Sequence, residues 1–333
     1  MPAGARFVVQ LKRRTAGRLS ATTAASGNPK ALQGFLNELM VAFRMTTQNE
    51  SKADLMNSPR PVDLPEFKNP PLTEVVLGAQ FDVIPGFQTP HLGLIWQHFR
   101  KSFPNIEEHP PLSPVFETFG SNPQFTPGIG FQLLTGAEAP RVFFVNESRS
   151  ELLQVQKDRF LHNWRKIGEG DNYPRFERML ETFEAGLASF ITAISTEGLG
   201  PLIPNQCEVT YINQMPVLPG SSLSDLSDDL FGQHTGSLAL DDLGKPEDLR
   251  FLLRYIMRDD NGKPIGRLIA VAEPARRADG QNIVQLTLTA RGRPSTPDQE
   301  GIVDFFKRGR VSVVRGFAHL TGPKMHKLWE RTQ

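Results

Sequence analysis

The chain reads as an α+β protein. Two βαβββα-like halves are expected to form one curved, mostly antiparallel sheet packed by two long helices. Three observations predict it. Long amphipathic patterns occur twice, over 174–197 and 297–320. Segments of period-two alternation surround them, some joined by hairpin turn residues. The order strand, short helix, strands, long helix then occurs over 73–197 and again over 207–320. A chain of 333 residues is long enough to bury a sizeable core.

The first 60 residues suit a core poorly. Residues 1–56 hold eight basic and three acidic side chains, and Ser20 to Ser26 is a Ser/Thr/Ala stretch. Transit peptides share that composition. The reading taken is an unstructured or mis-started extension over 1–60, with Met45 and Met56 as alternative starts to Met1. Leu32, Phe35, Leu36, Leu39 and Met40 give it one short helical pattern. The first half is placed at 61–205 and the second at 206–333.

Pro59, Pro61, Pro65, Pro70 and Pro71 mark an extended entry. A strand follows over 73–83, with Val75, Leu77, Ala79, Phe81 and Val83 on one face. Thr89 as cap and Pro90 at the first position open a helix that carries Leu92, Ile95, Trp96, Phe99 and Phe103. Pro104 ends it. Residues 105–140 are rich in Pro and Gly, with short strands at 115–119 and 129–134. Strands 141–147 and 151–160 form a hairpin about Ser148-Arg149-Ser150.

Over 174–197, Phe176, Met179, Leu180, Phe183, Leu187, Phe190, Ile191 and Ile194 share a helix face, between Pro174 and Gly198. A strand spans 206–217. Residues 218–248 form a mobile acidic loop around a short helix at 223–232. Strands 249–258, 264–273 and 282–291 turn at Asp260-Asn261-Gly262 and Ala278-Asp279-Gly280. The second long helix buries Ile302, Phe305, Phe306, Val313, Phe317 and Leu320. Gly309 and Gly316 on that face allow a close approach to the sheet. Met325 to Trp329 adds a last helical turn. Tandem halves of this kind are similar to helix-grip and TATA-binding-protein-like folds, an analogy that carries no function.

Charge is nearly balanced, 37 basic against 36 acidic, so no global field pulls toward nucleic acid or anionic membrane. No apolar run reaches the roughly 20 residues needed to span a bilayer. Cys207 is the single cysteine, which suits a reducing cytoplasm. It opens a strand, with no helix dipole to activate it, and is expected buried and inert. The chain lacks a Gly-x-Ser-x-Gly elbow, both glycine-rich phosphate-loop patterns and any paired-Cys or His-Glu-x-x-His metal signature. His91 and His98, like His319 and His326, are seven apart, but packed or solvated histidines are the plainer account. No cofactor, metal or catalytic set is therefore expected.

Binding candidates centre on residues 151–165. Gln154, Gln156, Asp158 and Arg159 form a polar row, followed by Asn163, Trp164 and Arg165. Mid-strand polar side chains need partners, so the row faces water or belongs to a bonded site. The bland reading is a salt-bridged corner with Trp164 roofing the core. The functional one is a pocket between sheet and helix, with Glu208, Tyr211 and Asn213 as neighbours.

Three motifs resemble a sporadically distributed bacterial family without assigned function. They are Asn69-Pro70-Pro71-Leu72-x-Glu74-Val75-Val76, then Leu153-Gln154-x-Gln156-x-Asp158-Arg159-Phe160-x-x-Asn163-Trp164-Arg165, and Cys207-Glu208-Val209-x-Tyr211-Ile212-Asn213. The ending with Phe317, His326 and Trp329 is similar too. The resemblance covers roughly 66–333. It implies no reaction, cofactor or partner, and its patchy occurrence suits a mobile or defence-linked setting.

The expectation is a cytoplasmic, non-enzymatic protein that binds a protein partner or a small ligand. One alternative is an enzyme using Asp158 with Arg159 or His162 for acid–base work. The other is nucleic-acid binding through Lys307, Arg308, Arg310, Arg315, Lys324, Lys327 and Arg331, which only Glu330 opposes over 307–331.

Overall fold

A computed structural model describes residues 9–13, 19–23, 61, 63–120, 139–168, 170–235 and 238–333. The chain divides into two units, 1–60 and 61–333. The described part of the first is an antiparallel hairpin of β1 (Val9–Arg13) and β2 (Leu19–Thr23), with Val9 opposite Thr23. The helical pattern at 32–40 and the strand expected at 129–134 lie outside the described residues.

The second unit is α+β. Its strands are β3 (Leu72–Phe81), β4 (Asn105–His109), β5 (Arg141–Val145), β6 (Glu151–Gln156), β7 (Arg159–Arg165), β8 (Pro204–Pro216), β9 (Phe251–Arg258), β10 (Pro264–Arg276) and β11 (Asn282–Gly292). Its helices are α1 (Thr89–Gln97), α2 (Phe176–Thr196), α3 (Leu223–Thr235), α4 (Gln299–Leu320) and α5 (Pro323–Leu328). The strands form one nine-stranded sheet in the order β4-β5-β6-β7-β3-β8-β11-β10-β9. Every pairing is antiparallel. At its centre β3 pairs with β8, Leu77 opposite Val209.

Helices α2 and α4 pack on one face of this sheet because each carries an apolar stripe at helical spacing. Phe183 and Phe306 join the two stripes edge to face, ring centroids 4.8 Å apart. Beneath them lie Val75, Leu77, Ala79 and Phe81 of β3, Phe160 and Trp164 of β7, Val209 and Tyr211 of β8, and Leu286 and Leu288 of β11, in one continuous core. Each fully buried Phe contributes about 1.5–3 kcal/mol. Two glycines let α4 come close. A methyl on Gly309 would sit 3.1 Å from Val209, and one on Gly316 would sit 2.8 Å from Leu268. Gly266 and Gly292 lie opposite each other on β10 and β11, and the Phe305 ring packs against both.

Several boundaries differ from the sequence reading. The strand expected over 151–160 is two, β6 and β7, hinged at Lys157 and Asp158. Both have strong β-propensity across a turn that lacks Gly or Pro. Val83 lies past the end of β3 and is exposed. Gln88, not Thr89, caps α1: its N–H donates to His91 Nδ1 at 2.8 Å. Pro174 precedes α2, which starts after Arg175 in a left-handed conformation (φ 76°). Ile191 is exposed on the outer side of α2. The strand expected at 115–119 is extended chain outside the sheet ladder, and β4 is an additional strand whose Asn-Ile-Glu-Glu-His composition hid it.

Candidate functional site

Period-two alternation decides which side chains reach the face of the sheet that is helix-free among the described residues. On β7, His162 reaches toward α2, where Nδ1 lies 3.3 Å from the Met179 carbonyl. Arg159, Asn163 and Arg165 therefore point the other way. Gln154 and Gln156 of β6, Glu74 and Gln80 of β3, Gln206 and Glu208 of β8, Arg291 of β11 and Arg267 of β10 share that helix-free face.

Residues 110–119 cross it as an extended strap, Pro-Pro-Leu-Ser-Pro-Val-Phe-Glu-Thr-Phe. Pro110, Pro111 and Pro114 have no N–H to donate to a sheet ladder, so the strap is held by side chains instead. Gln156 grips both polar groups of Leu112: Oε1 accepts from its N–H at 2.8 Å, and Nε2 donates to its carbonyl at 2.9 Å. Arg159 Nη2 donates to the Ser113 carbonyl at 3.0 Å. Gln80 Oε1 accepts from the Val115 N–H at 2.9 Å, and Gln206 Oε1 from the Glu117 N–H at 3.3 Å. Arg267 donates to the Thr118 carbonyl and to the Glu117 carboxylate, each at 2.7 Å. These residues belong to β6, β7, β3, β8 and β10. The strap thus runs across the strands and over the β3–β8 pairing.

A second layer of bonds sets these grips. Gln156 Nε2 also donates to Asp158 Oδ1 at 2.8 Å, and Arg159 Nη2 to Gln80 Oε1 at 3.1 Å. Asp158 and Arg159 are both buried and lie 3.5 Å apart. Gln80 donates to Asn205, which donates to Asp82. Toward the sheet's other end, Arg141 donates to Gln154, Gln154 to Asn163, and Asn163 to Glu74 at 2.6 Å. Burial raises the Glu74 carboxyl above its ordinary range. Burial and the neighbouring Arg159 guanidinium lower Arg141. A small cavity of about 30 Å³ lies beneath Val115, between Gly78, Arg159, Gln206, Glu208 and Arg291, with room for a water or two. Glu208 accepts two bonds from Arg291 there. Among the described residues Gln206 Nε2 and Arg159 Nε have no acceptor.

The structure brings Gln154, Gln156, Asp158, Arg159, Asn163 and Glu208 to this one face, with Arg165 at its margin, where Nε donates to the Arg149 carbonyl. It separates the other three. Trp164 and Tyr211 lie under the helices, joined through Tyr173, whose hydroxyl is 3.0 Å from that of Tyr211. Asn213 donates to the Leu286 carbonyl inside the sheet. The polar row therefore lies on the side of the sheet away from α2, not between sheet and helix. Sequence reasoning passed over Gln80, Gln206, Arg267 and Arg291. The alternation that exposed Gln154 and Gln156 applies to each of their strands.

His162 is fully buried and bonded to Glu151 rather than to Asp158. Cys207 is buried, which pushes its thiol well above the ordinary range. Of the basic residues over 307–331, Arg308 pairs with Asp304, Arg310 with Glu177, Arg315 with Asp63 and Lys324 with Asp229. Among the described residues no three metal-ligating side chains gather, and no helix is long and apolar enough to cross a membrane. No protein-family model matches the chain, and no curated protein matches it either.

Proposed function

We propose that this chain is a non-enzymatic binding protein whose helix-free sheet face holds an extended peptide by its backbone. The strap 110–119 is the occupant supplied by the chain itself, and a segment of a protein partner is the occupant in trans. The observation that carries this reading is the two-bond grip of Gln156 on Leu112, continued by Arg159, Gln80, Gln206 and Arg267. Contacts of this kind read main chain and tolerate varied side chains. The strap leaves Val115 and Phe116 exposed, while the Glu117 carboxylate and the Phe119 ring, both on Arg267, add side-chain anchorage at its far end.

The reading includes tandem halves, β3 through α2 and β8 through α4, meeting at the β3–β8 pairing. Each half then supplies part of the grip. Membership of the bacterial family suggested by the three motifs, and a cytoplasmic setting, belong to the same proposal. Acid–base chemistry at Asp158 has less support, since its carboxylate is committed to Gln156 and Arg159. Nucleic-acid binding through the C-terminal cations has less support too, because four of them face acidic partners.

The test replaces 110–119 with a Gly/Ser linker and offers a fluorescein-labelled peptide of the same ten residues. Saturable polarisation that Gln156→Ala abolishes is expected. A folded linker variant that leaves the peptide free at several hundred micromolar refutes the reading.

A further inference from the structure

Away from the strap, a cleft of about 480 Å³ opens between the chain following β8, α3 and α5. That volume is in the range of small-molecule sites. Its floor is made of the buried side chains of Met215, Leu226, Met325 and Trp329. Leu218 and Leu328, each 56% exposed, form lips. The lining is therefore mostly apolar, and two methionines let it adapt to shape. Charge enters only at the rim. Lys324 donates to Asp229 at 2.6 Å, so those charges cancel. Lys327 also lines the cleft and has no ion-pair partner among the described residues. The rim thus carries one uncompensated positive charge above an apolar trough.

We infer that this cleft binds an amphipathic carboxylate, a medium-chain fatty acid or a compound of that shape. The alkyl body would cover Leu218 and Leu328 and lie on Met215, Met325 and Trp329, and the carboxylate would meet the Lys327 ammonium. A neutral hydrocarbon leaves that ammonium unused, and a cationic amphiphile is repelled by it. The site is separate from the strap face and stands independently of the peptide reading.

Titration calorimetry with the full chain tests it, using decanoate and decyltrimethylammonium, which share a tail and differ in charge. Decanoate is expected to bind about fivefold more tightly, the most that one exposed ion pair supports. Lys327→Glu should reverse that order. Ser221→Trp, a change at an exposed lining position, should fill the cleft and abolish both. Equal affinity for the two amphiphiles, an order that Lys327→Glu leaves unchanged, binding that survives Ser221→Trp, or no binding at millimolar decanoate each overturns the inference. So does a dimer that Ser221→Trp dissolves, since the cleft is then filled by a second copy.

Discussion

Gln156→Ala is the sharpest probe of the strap. The side chain is 2% exposed and makes three bonds: two to Leu112 and one to Asp158. Truncation removes a hydrogen bond to a buried carboxylate, a loss of about 1.5–3 kcal/mol. The two Leu112 groups are part-buried and partly regain water, so each contributes about 0.5 kcal/mol, the low end for a neutral bond. The total is about 3 kcal/mol, or a fall in Tm of about 6–12 °C for a unit of this size. Thermal unfolding by circular dichroism measures it. Hydrogen exchange adds the local signature: the Leu112, Val115 and Glu117 amides should lose protection, while Val209 and Leu288 amides in the sheet keep theirs. The isosteric Gln156→Glu sharpens the result by placing a second carboxylate beside Asp158. Its stability should fall as pH rises through the carboxylate range. A loss below about 1 kcal/mol with unchanged exchange would refute the claim that Gln156 holds the strap.

Three further outcomes follow from other sites. Burial raises the Glu74 carboxyl, so the folded state disfavours its ionised form. Glu74→Gln should therefore stabilise the protein at neutral pH, and the difference should vanish once pH falls below the ordinary glutamate carboxyl value of 4.5, as urea titrations at several pH values would reveal. Gly292→Ala should cost about 3 kcal/mol, because the new methyl would meet the Ile265 carbonyl oxygen at 2.2 Å and the backbone must move; a Tm within a degree or two of the parent would contradict this. Cys207 should resist a thiol reagent in the native state and react stoichiometrically in denaturant, so fast native labelling would show the strand opening beneath α4.

Much of the fold is written locally. Phe176 through Ile194 and Ile302 through Leu320 repeat at helical spacing, so both long helices are visible in the sequence. Gly262 and Gly280 adopt positive φ in the two turns where Asp-Asn-Gly and Ala-Asp-Gly announce them. The turn at Lys157 and Asp158 has no Gly or Pro to mark it, and the pairing of β6 with β7 on either side imposes it. The candidate face was half legible. Alternation separates Gln154 and Gln156 from Leu153 and Val155, but it does not say which side the helices roof. The strap was illegible for a different reason: its role lies in its backbone, which Pro-Pro-Leu-Ser-Pro-Val specifies only as extended. Its holders, Gln80, Gln156, Gln206 and Arg267, span almost 190 positions of chain, and nothing local connects them.

The pairing of β3 with β8 also has a bearing on how the protein is made. Leu77 meets Val209 only after some 130 intervening residues have been synthesised. Until then, β3 has β7 on one edge and an open row of amides and carbonyls on the other. Loop closure over that distance is slow. A nascent chain therefore passes through a stage in which its central strand has one bare edge, and whatever shields that edge at the ribosome governs the yield of folded protein.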